Sequence, residues 1–210
     1  MKIYFAGPLF TPYVRDFISH HAQILRDHGI DPFVPHESFN PKITPQVQKV
    51  MLEKGLLTRD ELQSASAPAL VSECMRQGQV TRDELGLPPM TPLGVFDRDM
   101  EGVSSANAVM ALLDGTQVDD GTACEIGIFY GLSRSDLTKK GIAALMTDFR
   151  GVRRAQQGWG INLFVLGVIE EEGKIFDNFA DALRQLKAWD EELRAESRRP
   201  LGEAETHGTP

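Results

Sequence analysis

The chain is short of the features that would place it outside the ordinary globular class. It has 2 cysteines in 210 residues, Cys74 and Cys124. They form neither a disulfide framework nor a metal-binding spacing, so free thiols in a reducing compartment are expected. No apolar run approaches the length of about 18 residues that a membrane-spanning helix needs. The apolar stretch within Met1–Pro8 is also too short for a signal peptide, so a cytoplasmic location and no membrane association are expected. Basic residues are outnumbered, 22 Lys and Arg against 30 Asp and Glu, for a net charge of −8. That balance argues against nucleic acid or an anionic membrane surface as a partner, without excluding a small ligand. No G-x-G-x-x-G follows the first strand-like run, and there is no P-loop, no G-x-S-x-G elbow and no His pair at zinc-protease spacing. His20, His21, His28 and His36 are read as surface or capping residues.

What is present is an alternation of apolar runs and amphipathic segments. With 41% hydrophobic and 25% charged residues, the chain is long enough for one good core and an appendage. Lys2–Ala6 is β-rich and broken by Gly7-Pro8, which makes it a first strand and its turn. Residues 12–28 carry Val14, Phe17, Ile18, Ile24 and Leu25 at helical spacing, with Gly29 placed to stop the helix. A short second strand falls at 31–35. A helix over 95–106, a strand over 107–113, a helix from Thr122 to Leu132 and a strand over 141–146 come next. A polar loop over 147–160 is expected to leave Arg150, Arg153 and Arg154 solvated. A short buried helix at 161–169, a fifth strand at 174–176 and a last helix capped by Asp177 or Asn178 and ending about Arg194 complete the pattern. Residues 197–210 read as a disordered tail. Strands alternating with helices predict a doubly wound α/β fold: a five-stranded parallel sheet in one domain over 1–196.

Residues 41–95 break that alternation and read as a helical insertion. Gly55-Leu-Leu-Thr-Arg-Asp-Glu-Leu62 recurs 23 residues later as Gly78-Gln-Val-Thr-Arg-Asp-Glu-Leu85. Thr58 and Thr81 are predicted helix N-caps, with Glu61 and Glu84 at the reciprocal capping-box position.

The chemistry concentrates after the strand at 107–113. Asp119, Asp120 and Glu125 crowd the loop and first turns beyond it, on the edge where an open parallel sheet binds ligands. Glu125 stands in Ala-Cys-Glu-Ile-Gly, flanked by small and apolar residues, where a carboxylate is seldom placed without a task. Carboxylates without a nucleophilic Ser or Cys suit a cationic transition state, above all the oxocarbenium ion of glycosyl transfer. The dipole of the following helix would hold Glu125 ionised. A hard-cation site built from Asp119, Asp120 and Glu125 is the competing reading. Such sites serve phosphate substrates and basic residues are scarce here, so no metal and no cofactor are expected.

Five elements in order carry a resemblance: Ile3-Tyr-Phe-Ala-Gly-Pro8, Asp97-Arg-Asp-Met100 ahead of Ala106-Asn-Ala-Val-Met110, Asp119-Asp-Gly-Thr-Ala-Cys-Glu-Ile-Gly127, Gly160-Ile-Asn-Leu-Phe164 and Phe176-Asp-Asn-Phe179. On these the chain resembles the nucleoside 2-deoxyribosyltransferases. The resemblance implies that Glu125 is the nucleophile of a retaining transfer through a covalent 2-deoxyribosyl intermediate, with Tyr4 orienting it. Asp99 and Asp119 would contact base or sugar and assist proton transfer. Asn162 and Phe164 match positions that complete a neighbouring subunit's pocket, which implies a homo-oligomer with shared sites. Deoxynucleosides and free nucleobases would be the partners. Gly7 and Phe10 after the first strand, Gly121 at the helix start, and Asp119, Asn162 and Phe164 make up the substrate-binding set. Phe39, Phe129 and Trp159 are further candidates for stacking on a base. Two alternatives stay open: hydrolysis of deoxynucleoside 5′-phosphates, which Asp119 disfavours as a neighbour of phosphate, and a non-catalytic nucleotide sensor.

Overall fold

The apolar runs become the strands of one sheet. The computed structural model describes residues 1–150 and 160–198. The expectations for Arg153, Arg154, Trp159 and the tail from residue 199 lie outside those residues. In chain order the elements are β1 (Lys2–Ala6), α1 (Pro12–Asp27), β2 (Asp31–Phe33), α2 (Pro35–Ser38), α3 (Pro45–Glu53), α4 (Arg59–Gln63), α5 (Ala67–Arg76), α6 (Pro92–Ser105), β3 (Ala108–Leu112), α7 (Asp120–Ser133), β4 (Gly141–Leu145), α8 (Leu163–Glu172), β5 (Gly173–Phe176) and α9 (Phe179–Ser197). Element boundaries differ from the expected ones by a few residues: α6 starts at Pro92 rather than 95, and α9 runs past Arg194 to Ser197.

The strands lie in the order β2-β1-β3-β4-β5. Tyr4 stands opposite Val109 in a parallel β1–β3 pair, Val109 opposite Ile142 in β3–β4, and Leu145 opposite Phe176 in β4–β5. Every residue of β3 and β4 is buried. Their sequences, Ala-Val-Met-Ala-Leu and Gly-Ile-Ala-Ala-Leu, are uniformly apolar, as both faces covered by helices require. The strand order reverses between β1 and β3, and the crevice at such a switch point is where this architecture places ligands.

The chain divides into two compact units. One comprises Met1–Pro32 with the described residues of Val103–Pro210; the other is Phe33–Gly102, wider than the 41–95 expected for the insertion. The second unit has its own core of Val47, Met51, Leu57, Leu62, Val71, Cys74, Val80 and Leu85. The duplicated motif explains it. Each copy begins with the left-handed glycine that closes the helix before it, Gly55 (φ 63) after α3 and Gly78 (φ 71) after α5. The amide of the next residue reaches back equivalently, Leu56 to Met51 O and Gln79 to Cys74 O, both at 3.0 Å, the signature of a Schellman closure. Leu57 and Val80, then Leu62 and Leu85, enter the shared core from matching positions.

Both capping boxes form. The Thr58 amide donates to Glu61 Oε2 and the Thr81 amide to Glu84 Oε2, each at 2.7 Å. Only the first leads into a helix, α4. The expectation that Thr81 caps a helix is corrected: residues 82–86 form turns only. The physical cause stands in the sequence, where Gln63 of the first copy is replaced by Gly86, held at φ 64, with Pro88 and Pro89 just beyond.

This packing can be tested at two positions. Gly141 opens β4 at φ 146, and a β-carbon there would stand 2.3 Å from Glu172 O and 2.9 Å from Trp189 Cζ2. Gly141→Ala should therefore lower stability by about 2–4 kcal/mol, read as a drop in Tm of roughly 5–15 °C; an unchanged Tm would show that β4 can shift to admit the methyl. In the second unit, a hydrogen bond from Lys54 Nζ to Glu84 Oε1 at 2.5 Å, with further bonds from Thr81, lowers the Glu84 carboxyl to about 2. A depressed carboxyl contributes stability above its ordinary value of 4.5, and that contribution fades as pH falls toward 2. Glu84→Gln should lower Tm at pH 7, and the deficit should shrink as pH is lowered through that window in a thermal-denaturation series.

Candidate active site

The acidic loop becomes a helix start. Asp119, not Asp120, is the N-cap of α7: its Oδ2 accepts from the Thr122 amide at 2.9 Å and from Thr122 Oγ1 at 3.1 Å. This satisfies an amide that the helix leaves without an internal partner. Asp120 is the first helical residue and is exposed, its Oδ1 accepting from the Gly121 amide at 2.9 Å. A β-carbon on Gly121 would lie 3.1 Å from Asp119 Oδ2, so glycine leaves the cap its room. The sequence pattern begins the helix at Thr122; the cap moves the start two residues earlier.

Along α7, Thr122, Ile126 and Phe129 form the buried face. Glu125 stands between the first two and is half-buried. The Tyr4 hydroxyl donates to Glu125 Oε1 at 2.5 Å. Tyr4 itself is fully buried in β1, so the phenol crosses the core to meet the one half-buried carboxylate of that helix face. The expectation that the helix dipole holds Glu125 ionised needs correction. Glu125 lies more than a turn into α7, beyond the reach of the terminal partial charge, and its carboxylate accepts the Tyr4 hydrogen bond. Gly127 and Gly131 face open space, since a β-carbon at either would meet nothing within 4 Å.

The remaining predicted site residues divide. Gly7 closes β1 tightly, where a β-carbon would approach Ile18 Cδ1 to 2.7 Å and Leu112 Cβ to 3.3 Å. Phe10, in the same loop, is 80% exposed. Asn162 caps α8, its Oδ1 accepting from the Phe164 amide at 2.9 Å, while the Phe164 ring is 82% exposed. A cleft of about 550 Å³ is lined by Thr116, Gln117, Val118 and Ala123 on one side and by Gly160, Ile161, Asn162 and Val165 on the other. The Thr116–Val118 loop and Asn162 therefore share one cleft beside the start of α7. Asp99 is half-buried on α6, in the Phe33–Gly102 unit. Phe129 is fully buried in the core, which removes it from the residues able to stack on a base. Phe39 carries the Arg98 guanidinium 5.4 Å above its ring.

Three functional-edge residues leave no mark in the sequence pattern: Asp114, Asp148 and Arg150. Arg150, expected to be solvated, is only 6% exposed. It lies beyond β4 and returns to the end of β3, donating from Nη2 to Leu113 O and from Nε to Asp148 Oδ1 and Oδ2 at 3.2 and 3.0 Å. Asp148 Oδ2 also accepts from the Gly115 amide at 2.9 Å. In return, Asp114 accepts from the Thr147 amide at 2.6 Å, from the Thr147 hydroxyl and from the Asp148 amide at 3.2 Å. Each loop thus supplies a carboxylate to the other's backbone. A charge pattern this local has no periodicity, so only the pairing of Asp148 with Arg150 two residues on could have marked it.

Among the described residues, no three His, Cys, Asp or Glu side chains gather in a metal-holding arrangement, and no helix is long and apolar enough to cross a membrane. Comparison with curated protein sequences finds no match. Among solved structures, the chain is similar to a conserved protein from Enterococcus faecalis V583, with a TM-score of 0.56, 22% identity, and 90% of this chain and 98% of that one covered. It is similar also to a 2-deoxyribosyltransferase from Leishmania mexicana, with a TM-score of 0.51, 15% identity, and 87% and 94% covered. Both likenesses show the fold. A 2-deoxyribosyltransferase from Bacillus psychrosaccharolyticus aligns with a TM-score of 0.48 at 22% identity, covering 87% and 90%. The family model for nucleoside 2-deoxyribosyltransferase matches residues 3–180, and the chain belongs to that family.

Proposed function

We propose that this protein moves 2-deoxyribose from one nucleobase to another by a double displacement through Glu125. The observation that carries the reading is the 2.5 Å hydrogen bond from Tyr4 Oη to Glu125 Oε1, in a chain whose family performs glycosyl transfer on nucleosides. A carboxylate held at one oxygen by a buried phenol has that oxygen fixed in position, and this reading assigns the other oxygen to the sugar. In the first step, Glu125 attacks C1′ as the C1′–N bond breaks, and the departing base takes its electron pair and a proton. In the second step, an incoming base attacks C1′, its N–H proton returns to the group that protonated the first base, and the glycosyl–carboxylate bond breaks to restore Glu125. Two inversions give net retention. The developing positive charge on the sugar is opposed by the carboxylate, which supplies the electrostatic part of catalysis.

Asp119 directs both cap bonds to Oδ2, and Oδ1 is the atom this reading assigns to a sugar hydroxyl. The proton for the departing base is assigned, on the motif resemblance alone, to Asp119 or Asp99. Exposed Phe10, Tyr13, Leu163 and Phe164, at 80, 85, 53 and 82%, are apolar surface of the kind a second copy covers. They support a homo-oligomer.

The protein incubated with a deoxynucleoside and a different free base should yield the exchanged nucleoside by chromatography. Absence of exchange across purine and pyrimidine pairs would refute the reading, and base release without an acceptor would instead mark hydrolysis. Glu125→Ala should lower turnover by about a thousandfold or more; the circular-dichroism spectrum should stay that of the parent, while Tm falls by roughly 2–12 °C because the buried Tyr4 hydroxyl loses this acceptor. Tyr4→Phe keeps the ring in the core but removes the donor. It should lower kcat by about 10–100-fold with little change in KM; an unchanged kcat would remove Tyr4 from its orienting role.

A further inference from the structure

The reciprocal loop contact at the end of β3 and β4 is absorbed by neither the sheet nor the nucleophile. Its geometry is specific. Arg150 holds Leu113 O, Asp148 holds the Gly115 amide, and Asp114 holds the amides of Thr147 and Asp148. The β3 loop is therefore pinned at residues 113–115, and its far end is pinned again where Asp119 caps α7. Only Thr116, Gln117 and Val118 lie between the two anchors, and all three line the cleft that Asn162 borders. A three-residue span fixed at both ends has few conformations, so small shifts of either anchor move that wall as a unit.

The charges make one anchor depend on Arg150. Asp114 and Asp148 come from opposite loops onto adjacent backbone, and the buried Arg150 guanidinium lies between Asp148 and the β3 end. Without the cation, two neighbouring carboxylates would repel each other and the loops would part. A lysine could supply the charge but not the fork. The guanidinium reaches Leu113 O through Nη2 and both Asp148 oxygens through Nε, whereas a single ammonium on a flexible stem would serve one side at a time. Glu125 is anchored separately, by Tyr4 and by the packed face of α7.

We propose that Arg150 and Asp148 are positioning residues that set the Thr116–Val118 wall of the cleft and thereby govern nucleoside binding, not the reactivity of Glu125. This rests on the transferase reading above. The test uses Arg150→Lys and, as a gentler change, Asp148→Asn in the full chain. Two readouts are taken: steady-state kinetics of base exchange, and hydrogen exchange of the backbone amides. Each variant should raise KM for the deoxynucleoside by about tenfold or more with kcat within about threefold of the parent. The amides that hold the two loops together, those of Gly115, Thr147 and Asp148, should exchange about tenfold faster while those of β1, β3 and β4 keep their protection. Kinetics with the opposite split, lowered kcat at unchanged KM, would overturn the proposal. So would unchanged exchange at Gly115, Thr147 and Asp148, or a loss of protection spread evenly over the sheet, which would mark a merely structural role. If the parent protein transfers no deoxyribose, the transferase reading fails by itself, and the exchange pattern still decides whether these two residues hold the loop.

Discussion

A hydroxyl buried on a strand that is covered on both faces must find a partner inside the protein, because an unmade hydrogen bond there costs about 1–3 kcal/mol. Tyr4 imposes that constraint on the fold. Ile3 to Ala6 are all fully buried, so the phenol has to be satisfied by polar groups carried in on neighbouring elements, and Glu125 is one. The parallel pairing of β1 with β3 is what allows the helix after β3 to deliver it. The same constraint sets the demands on the rest of the site. The start of α7 has to be fixed in register, which the Asp119 cap does. Its backbone has to leave space for that cap, which Gly121 does.

The fold is legible in the sequence because burial on both faces leaves an unambiguous trace. Ala108–Leu112 and Gly141–Leu145 are apolar without alternation, and no other structure hides such runs as cheaply as a helix-covered parallel strand. The pairing of Tyr4 with Glu125 is legible only through the family motifs, since the two residues lie far apart in sequence and share no periodicity. The sequence assigns Asp119 to substrate alone, whereas the cap bonds of α7 belong to it. Asp-Asp-Gly-Thr offers two capping residues at adjacent positions, and the choice is made by the direction from which the loop arrives. Arg150 misleads for a related reason. A cation in a polar, glycine-bearing loop looks solvated until the end of β3 supplies it with a buried carbonyl.

The insertion shows a different balance between sequence and context. Its two copies of Thr-Arg-Asp-Glu-Leu make the same reciprocal bonds, with matching distances, because a capping box needs only four residues. The residues beyond each box differ. Gln63 lets the first copy run into a helix, whereas Gly86 and the prolines behind it leave the second as a turn. Yet Leu62 and Leu85 enter the same core. The duplication is therefore kept in side-chain burial where it is lost in backbone form, and the unit has a hydrophobic centre that owes nothing to the sheet.

The glycines of α7 carry a consequence for how Glu125 is held. Gly127 and Gly131 each weaken an isolated helix by about 1 kcal/mol relative to alanine, and neither is required by close packing. Left alone, the segment would be a poor helix. It exists as one because Asp119 ties its first turn and because Thr122, Ile126 and Phe129 are seated in the core. Its stability thus comes from its surroundings, and it has little stiffness of its own with which to resist them. A disturbance of the cap or of the packing beneath would reach Glu125 as a displacement of the whole segment, so the precision with which that carboxylate is placed is set by its neighbours.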